Sequence, residues 1–336
     1  MRFATVKKIL DCLSAQRAHR LVLNNLDWFT VFGLNAEMAP TAPENPVWVM
    51  GIRFPNAVGL ATGFDTNGEC ISSLGGYGFG HIEVGSLSAS PITGSFDVRR
   101  EKKDGLTLSY ESPIVNDGID KVLVRLKSAD AYHLRGGVLG INLRLDPTRA
   151  ESSFDDLALC FEKAYKKADY VTLNAAELSC DDAIRAVRCL LDTRQRLLDS
   201  EPVKKKPIAV KIAPEAKETL LPRLDALLKS GAEALIATSG KQSEGGKTYL
   251  SGRALTDDAL KTLFLVTQHI DKAVPVIACG GIRSGEEALS RIQAGASLVQ
   301  LLTGFVEFGP ALVYECIRAI KSDGLGRAAQ TVRHDF

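Results

Sequence analysis

Residues Val274 to Phe305 read VPVIACGGIRSGEEALSRIQAGASLVQLLTGF and contain two short apolar runs on either side of a helical pattern. Each run has the length of a buried strand and is followed by residues that favour a turn. Between the runs, Ser284 and Glu287 have the spacing of a capping box, which marks the first turn of a helix. The segment therefore predicts a strand, a helix and a second strand in succession.

Glycine and threonine follow both of these apolar runs. Gly280 and Gly281 end the first run, and Thr303 and Gly304 end the second. Backbone N–H groups at helix N-termini attract anions, and glycine lets a ligand approach the backbone closely. In a (β/α)8 barrel the loops after the last two strands are the usual phosphate site. A phosphorylated ligand is therefore the first function that the sequence indicates.

Short apolar runs of the same kind recur along the chain and alternate with helical patterns. We predict strands at Ala57–Thr62, His81–Ser86, Val138–Leu143, Tyr170–Asn174, Ile208–Ala213, Ala234–Ser239, Val276–Cys279 and Leu298–Leu302. Helical patterns include Asp181–Leu191, Thr219–Ser230 and Asp257–His269, and the long stretch Leu87–Gly136 is expected to hold an insertion beside the barrel mouth. This alternation predicts an α/β fold, a (β/α)8 TIM barrel with a small N-terminal helical extension. No GxGxxG follows the first strand, which disfavours an open dinucleotide-binding sheet.

The composition is that of a soluble globular enzyme. The chain has 336 residues, of which 45% are hydrophobic and 24% are charged. Its formal net charge of +1 gives no reason to expect nucleic acid as a partner. The seven cysteines lack CxxC or Cys/His spacing, so we expect neither a disulfide framework nor a metal site. We predict a cytoplasmic protein, with peripheral contact at the inner face of the membrane as the alternative.

The first 45 residues differ from the rest, so we predict a helical unit at 1–45 and a barrel domain at 46–336. Phe3–Leu13 and Ala18–Leu34 have helical patterns, and the second carries Trp28 together with several leucines and phenylalanines. Two interpretations stay open. The helices form a cap packed on the barrel, or they form an amphipathic pair that lies on a membrane or admits an apolar co-substrate.

A series of motifs extends along nearly the whole chain in a characteristic order. The motifs are Arg17–His19, Phe54–Glu69, Gly78–Ser86, Gly140–Leu143, Ile208–Pro214, Leu235–Ser239 and Leu250–Arg253, followed by the segment that ends at Phe305. Together they resemble the membrane-associated, quinone-using class (class 2) of dihydroorotate dehydrogenases. The resemblance implies a TIM barrel that carries FMN, with the flavin phosphate in the glycine and threonine site described above.

The resemblance also implies which positions contact the flavin. These are Ala61, Thr62, Gly63, Ser86, Asn142, Asn174, Lys211, Thr238, Ser251, Gly252, Gly280, Gly281, Leu302, Thr303 and Gly304. Lys211 matches a lysine that faces the N1–O2 edge of the flavin, where a cation stabilises the anionic reduced form. Ser86 replaces the family's threonine, and Leu302 replaces its usual tyrosine.

The substrate side departs from the family pattern. Thr66 lies where the family has a lysine that binds the orotate carboxylate, and Ser239 lies where it has an asparagine. Tyr110 and Glu111 begin a segment that replaces an asparagine-rich one. These four positions are our predicted substrate contacts. Loss of the lysine and of several amides implies loss of useful dihydroorotate binding, because each buried polar contact contributes to discrimination.

The position of the family's catalytic base is also changed. Glu177 is in register with the serine or cysteine that serves as the base. A carboxylate in a partly apolar site can accept a proton, and a negative charge there would suit a cationic substrate. Cys180 is the alternative if the loop is realigned by three residues, and Tyr110 and Glu111 are further candidates. A reaction that needs no dedicated base is the remaining possibility.

We therefore predict an FMN-dependent oxidoreductase that dehydrogenates a small substrate other than dihydroorotate at a CH–CH or CH–NH group. A quinone that reaches the flavin between the N-terminal helices is the expected electron acceptor. Three alternatives stay open. They are an authentic quinone-dependent dihydroorotate dehydrogenase with an unusual site, a catalytically silent flavin-binding protein, and a phosphate-binding barrel without flavin.

Overall fold

Eight parallel strands form a closed barrel in the computed structural model, which describes residues 3–31, 43–94, 97–111, 115–149, 152–243, 246 and 248–324. In chain order the strands are β1 (Val47–Val49), β2 (Ile52–Phe54), β3 (Val58–Leu60), β4 (His81–Leu87), β5 (Val98–Glu101), β6 (Thr107–Tyr110), β7 (Val138–Leu143), β8 (Tyr170–Asn174), β9 (Ile208–Ile212), β10 (Ala234–Ala237), β11 (Lys241–Gln242), β12 (Tyr249–Gly252), β13 (Val276–Cys279) and β14 (Leu298–Leu301). The barrel order is β3, β4, β7, β8, β9, β10, β13 and β14, and β14 pairs with β3 to close it. The predicted (β/α)8 fold is confirmed.

All eight predicted strands are present, and some end earlier than predicted. The predicted strand Ala234–Ser239, for example, ends at Ala237. The next two residues still bond across the barrel, since the Thr238 N–H donates to the Cys279 carbonyl at 2.8 Å and the Ser239 N–H donates to the Ile212 carbonyl at 2.7 Å. Thr238 and Ser239 therefore lie just beyond the regular β-ladder, at the barrel mouth.

Helices follow most of the barrel strands and cover the outside of the barrel. In chain order they are α1 (Phe3–Asp11), α2 (Ala15–Val31), α3 (Ile71–Gly75), α4 (Ile119–Arg125), α5 (Asp130–His133), α6 (Ser153–Tyr165), α7 (Cys180–Ser200), α8 (Lys217–Lys229), α9 (Thr256–Ile270), α10 (Gly285–Gln293), α11 (Thr303–Phe308) and α12 (Pro310–Ser322), with 3-10 turns at Leu126–Ala129 and Arg253–Leu255. Helix α7 continues past its predicted end at Leu191. The reason is that Arg194 and Leu197 are also buried, and Arg194 donates to Glu233 at 2.6 Å.

The helix start predicted at Ser284 and the start of α7 both have side-chain caps. Ser284 Oγ accepts from the Glu287 N–H at 3.1 Å, and the Glu287 carboxylate accepts from the Arg283 N–H at 2.5 Å, one residue before the cap. Ser179 Oγ accepts from the Asp182 N–H at 3.1 Å at the start of α7. Each bond satisfies an N–H group that has no partner within its helix.

A second sheet is formed at the barrel mouth by the predicted insertion and the segment after β10. Its antiparallel order is β11, β12, β6 and β5, and it pairs Tyr249 directly with Tyr110. Because β6 lies between Leu87 and Gly136, the predicted insertion beside the mouth is confirmed.

The N-terminal helices pack on the barrel through polar contacts. The Ser73 hydroxyl donates to Asp27 of α2 at 2.5 Å, and a ring nitrogen of His19 lies 2.6 Å from the Phe64 carbonyl. The two N-terminal helices also expose the apolar side chains of Ile9, Leu21 and Trp28. Residues 32–42, which include the end of the second predicted helix, lie outside the described part of the chain. None of the helices in the described ranges is both long enough and apolar enough to cross a membrane.

Candidate active site

A cavity of about 590 Å³ opens at the carboxyl ends of the barrel strands. It is lined by Ala61, Thr62, Ser86, Tyr110, Asn174, Lys211, Thr238, Ser239, Gly240, Ser251, Gly252, Leu255, Cys279, Gly280, Gly281, Ile282, Gln300, Leu302, Thr303 and Gly304. Its position is the face at which TIM barrels carry their active sites. We call it the barrel cavity.

The structure brings most of the predicted flavin positions together around the barrel cavity. Every predicted position lines it except Gly63 and Asn142. Asn142 lies directly behind the lining, because the Ser86 hydroxyl donates to its side-chain oxygen at 2.6 Å. Of the predicted substrate contacts, Tyr110 and Ser239 line the barrel cavity.

The phosphate wall of the cavity, at the ends of β13 and β14, leaves no room for side chains at its glycines. A Cβ on Gly281 would overlap the Cα of Thr256, and a Cβ on Gly304 would overlap the Ile282 carbonyl. Gly281 also has a φ of +68°, which non-glycine residues rarely adopt. Thr303 is held by a 3.0 Å hydrogen bond between its hydroxyl and that of Ser251. The glycines are therefore required by the close packing of this wall against Thr256 and Ile282, and their backbone borders the cavity.

One buried polar atom in the barrel cavity indicates that the site fits a ligand. The Thr62 hydroxyl has no hydrogen-bond partner among the described residues. A buried hydroxyl without a partner is costly, so its position in the lining favours a bound polar molecule. The cradle of glycines and this hydroxyl together suit a phosphorylated, polar cofactor such as FMN.

A chain of hydrogen bonds inside the barrel fixes the floor of the cavity. The Asn174 amide donates to Ser86 Oγ at 3.1 Å, and Ser86 Oγ donates to Asn142. The Asn142 amide donates to Glu83 at 3.1 Å, and the Gln300 amide donates to the other oxygen of Glu83 at 2.7 Å. Because each donor has a matched acceptor, the chain sets the orientation of Asn174 and Ser86 at the floor.

Lys211 brings a cation to the barrel cavity from the middle of the strand β9. Its residue is only 3% exposed, and its side chain hydrogen-bonds the thiol of Cys279. Burial raises the pKa of the Cys279 thiol, and the neighbouring Lys211 ammonium opposes that rise. The positive charge of Lys211 is thus held inside the barrel, beside the ligand space.

Buried Asp65 shapes the loop after the first barrel strand. Its two carboxylate oxygens accept from the N–H groups of Glu69 and Cys70, both at 2.8 Å. Burial raises the pKa of Asp65 to about 6, against the opposing effect of these bonds. Thr66, the next residue, does not line the barrel cavity, and neither does Glu111.

Two stacked tyrosines form part of the cavity's outer wall. The rings of Tyr110 and Tyr249 lie 6.0 Å apart with 24° between their planes. Burial raises the pKa of Tyr110, the Glu177 carboxylate raises it further, and the Arg144 guanidinium opposes both. The Tyr110 phenol is therefore neutral at physiological pH, so it suits a hydrogen-bond donor better than a base.

Glu177 faces a second cavity of about 950 Å³, next to the first. This side cavity is lined by Arg144, Leu145, Asp146, Pro147, Ser153, Phe154, Asn174, Glu177, Leu178, Asp182 and Arg185. Asn174 lines both cavities. The Glu177 carboxylate forms an ion pair with Arg144, with 3.2 Å between Oε2 and Nη2. Cys180 lies half-buried at the start of α7 and lines neither cavity.

Several lining residues were not found from the sequence. Arg144 directly follows β7, and its place at the carboxyl end of a barrel strand was the signal that could have identified it. Cys279 precedes the phosphate-wall glycines, whereas Gln300 sits inside an apolar strand where nothing marks it. Within the described ranges, no group of three or more His, Cys, Asp or Glu side chains is placed to hold a metal ion.

Comparison with known proteins shows similarity along nearly the whole chain. The family model described as dihydroorotate dehydrogenase matches residues 46–323. The chain is 36% identical to the dihydroorotate dehydrogenase (quinone) of Thiobacillus denitrificans, with 95% of this chain and 99% of that protein covered. It is 35% identical to the protein of the same name from Stutzerimonas stutzeri, with 94% and 96% covered. A crystal structure of DHODH from Eimeria tenella in complex with ferulenol has the same fold, with a TM-score of 0.81 at 24% identity and 96% of each chain covered.

Proposed function

The chain belongs to the dihydroorotate dehydrogenase family, whose members are FMN-dependent oxidoreductases acting on CH–CH groups, and from that premise we propose that FMN binds in the barrel cavity and that the enzyme dehydrogenates a small substrate there. The observation that carries the proposal is the phosphate wall. Its glycines have no room for a Cβ, and the cavity in front of them contains a buried hydroxyl without a partner in the described chain.

The residues of the barrel cavity have distinct parts in this proposal. Gly280, Gly281, Thr303 and Gly304 hold the phosphate, because backbone N–H groups and a hydroxyl suit an anion. Lys211 would supply a positive charge in the cavity that stabilises negative charge on the reduced flavin. Bound FMN supplies the two-electron chemistry. The hydrogen-bond chain fixes the side chains of Asn174 and Ser86, and these two side chains orient the molecules bound in the cavity.

We further propose that the substrate is not dihydroorotate. Thr66, which replaces the family's carboxylate-binding lysine, does not line the barrel cavity. Glu177 occupies the position of the base, and its carboxylate is the group we assign to accept the substrate proton. The ion pair with Arg144 neutralises its charge, so the carboxylate no longer favours a cationic substrate over a neutral or anionic one.

A second candidate is authentic dihydroorotate oxidation. The identity of 36% over nearly the full length of a protein named dihydroorotate dehydrogenase (quinone) favours it. In that case Arg144 or a tyrosine would take over contacts that the lysine and amides make elsewhere in the family.

An anaerobic reduction assay separates the candidates. We expect the purified protein to contain about one FMN per chain. We expect dihydroorotate to bleach it at least ~100-fold more slowly than a metabolite found by screening, because several contacts of about 1–3 kcal/mol each are absent. Rapid bleaching by dihydroorotate, with transfer to a soluble quinone, would support the second candidate. Protein isolated without flavin would contradict both.

We propose that the electron acceptor is a quinone and that it approaches along the N-terminal helices. His19 of α2 contacts the carbonyl of Phe64, in the loop that continues from Thr62. The exposed side chains of Ile9, Leu21 and Trp28 give the same pair an apolar outer face, which suits peripheral contact with a lipid surface. Co-sedimentation with phospholipid vesicles measures that contact, and protein that stays in the supernatant at all lipid concentrations would contradict it.

A further inference from the structure

The side cavity contains a buried cation that is paired with a partly exposed carboxylate. Arg144 has a side chain that is 6% exposed, whereas its partner Glu177 is 32% exposed. A buried guanidinium needs an anion, because an uncompensated buried charge is costly. Glu177 supplies that anion from a loop side chain at the cavity surface. A carboxylate from outside the chain could occupy the same place.

The other charged groups of the side cavity already have structural partners. Asp146 accepts from the backbone N–H and the hydroxyl of Thr148, at 2.9 and 2.7 Å. Asp182 accepts from the Ser179 hydroxyl at 2.7 Å, and Arg185 lies over the Phe154 ring at 4.2 Å. Arg144 and Glu177 form the ion pair of this cavity in which a ligand carboxylate could replace the anion.

The ion pair of Arg144 and Glu177 also lies close to the barrel cavity, where the proposed reaction takes place. Arg144 follows the strand β7, and Glu177 follows the neighbouring strand β8. Asn174, at the end of β8, lines both cavities and is fixed by Ser86. A small molecule could therefore place an anionic group in the side cavity while its reacting carbon lies in the barrel cavity.

We propose that Arg144 binds the carboxylate of the substrate and that this carboxylate takes the place of Glu177. The inference rests on the proposed function and names its substrate class, a small organic acid. The planar guanidinium can form two parallel hydrogen bonds with a carboxylate, which gives both affinity and orientation. The positive charge of Arg144 stays compensated throughout, by the Glu177 carboxylate before the substrate binds and by the substrate carboxylate afterwards.

Calorimetric titration of the purified protein with two matched pairs of compounds tests the proposal. The pairs are benzoate with benzamide and orotate with uracil, which differ by the presence of the carboxylate. We expect the wild-type protein to bind at least one acid about 10-fold more tightly than its neutral partner. We expect Arg144→Gln to abolish this preference and Arg144→Lys to retain part of it. We expect Glu177→Gln to strengthen acid binding about 3-fold or more, because the competing carboxylate is removed.

The matched control is Arg185→Gln, which removes an arginine from the same cavity and should leave the preference unchanged. The proposal is overturned if the wild type has no preference for either acid, if Arg144→Gln keeps the preference, or if Glu177→Gln weakens acid binding as Arg144→Gln does. If Arg144→Gln does not fold, as judged by its thermal unfolding, the Glu177→Gln result alone decides. The FMN content of each sample is measured separately. Absence of FMN counts against the proposed function, whereas FMN-containing protein without the preference counts against this inference alone.

Discussion

The phosphate wall at β13 and β14 differs in how it is built from the side chains at the other lining of the mouth, which are Tyr110 in the barrel cavity and Arg144 and Glu177 in the side cavity. The phosphate wall consists of backbone, with glycines whose Cβ positions are already filled by Thr256 or Ile282. The other lining consists of side chains that contact one another, as in the tyrosine stack and the ion pair. Backbone contacts allow few substitutions, whereas side-chain walls can change one residue at a time. A barrel can therefore keep its cofactor wall while its substrate wall diverges.

The largest expected effect is at the phosphate wall. Gly281→Ala should reduce FMN affinity at least ~100-fold, because the new Cβ meets backbone atoms of Thr256 that cannot yield. The matched control is Gly136→Ala. Gly136 has a similar φ of +79° but no atom within 4 Å of a Cβ, so its cost is limited to about 1–2 kcal/mol of backbone strain. Equilibrium dialysis of FMN and thermal unfolding measure both variants. Equal FMN affinity in the two variants would contradict the distinction.

A smaller effect is expected at the side-chain wall of the same cavity. A Cβ on Gly240 would lie 2.5 Å from the Tyr110 hydroxyl, which is the far end of a side chain. Gly240→Ala should change FMN affinity by less than about 5-fold, and the double variant with Tyr110→Phe should regain stability because the contacting oxygen is gone. Chemical unfolding and FMN dialysis give both quantities. Loss of FMN from Gly240→Ala comparable to that from Gly281→Ala would break the comparison.

The smallest expected effect is on the pH dependence of stability, and it concerns His81 at the start of β4. His81 is fully buried in β4, and neither ring nitrogen has a partner among the described residues. Burial lowers the pKa of His81 to about 3. Between pH 6.5 and about 3 the unfolded chain therefore binds a proton that the folded chain does not, so stability falls as the pH falls. His81→Gln should reduce this slope, by at most about 1.4 kcal/mol per pH unit.

His133 provides the opposite case. A 3.0 Å bond to Asp169 raises the pKa of this half-buried histidine. Its stabilisation is therefore fully present below the unfolded pKa and is lost as the pH rises through the folded value. His133→Gln should remove the gain of stability that acidification brings between the folded pKa of His133 and about pH 6.5. Urea unfolding between about pH 5 and about pH 8 measures both slopes, and the same change of slope in the two variants would contradict the assignment of His81 as a buried neutral group.

Some of the site could be predicted because its signal is local. Apolar runs that end in Gly280 and Thr303 predict both a strand and the turn where a phosphate binds, within a few residues. The cap at Ser284 is equally local, and its hydrogen bond to Glu287 is present. The flavin positions, by contrast, were reached through resemblance, and thirteen of the fifteen line one cavity.

Other features could not be predicted because they depend on residues far apart in the chain. Nothing local indicates that Glu177 pairs with Arg144, 33 positions away, or that Gln300 donates to Glu83 across the barrel. His81 has the pattern of any strand residue, and its burial without a partner follows only from closure of the barrel.

By itself, the sequence determined the barrel and placed Gly280, Gly281, Thr303 and Gly304 at the ends of its last two strands, because these features follow from hydrophobic period, turn residues and short spacings. The tertiary structure alone decided which side chains meet at the mouth. Pairing of β7 with β8 brings the residues that follow these strands, Arg144 and Glu177, next to each other, and the sheet at the mouth brings Tyr110 against Tyr249. Through the pairing of β7 and β8 Glu177 became the partner of a buried arginine, in a cavity beside the one the motifs outline.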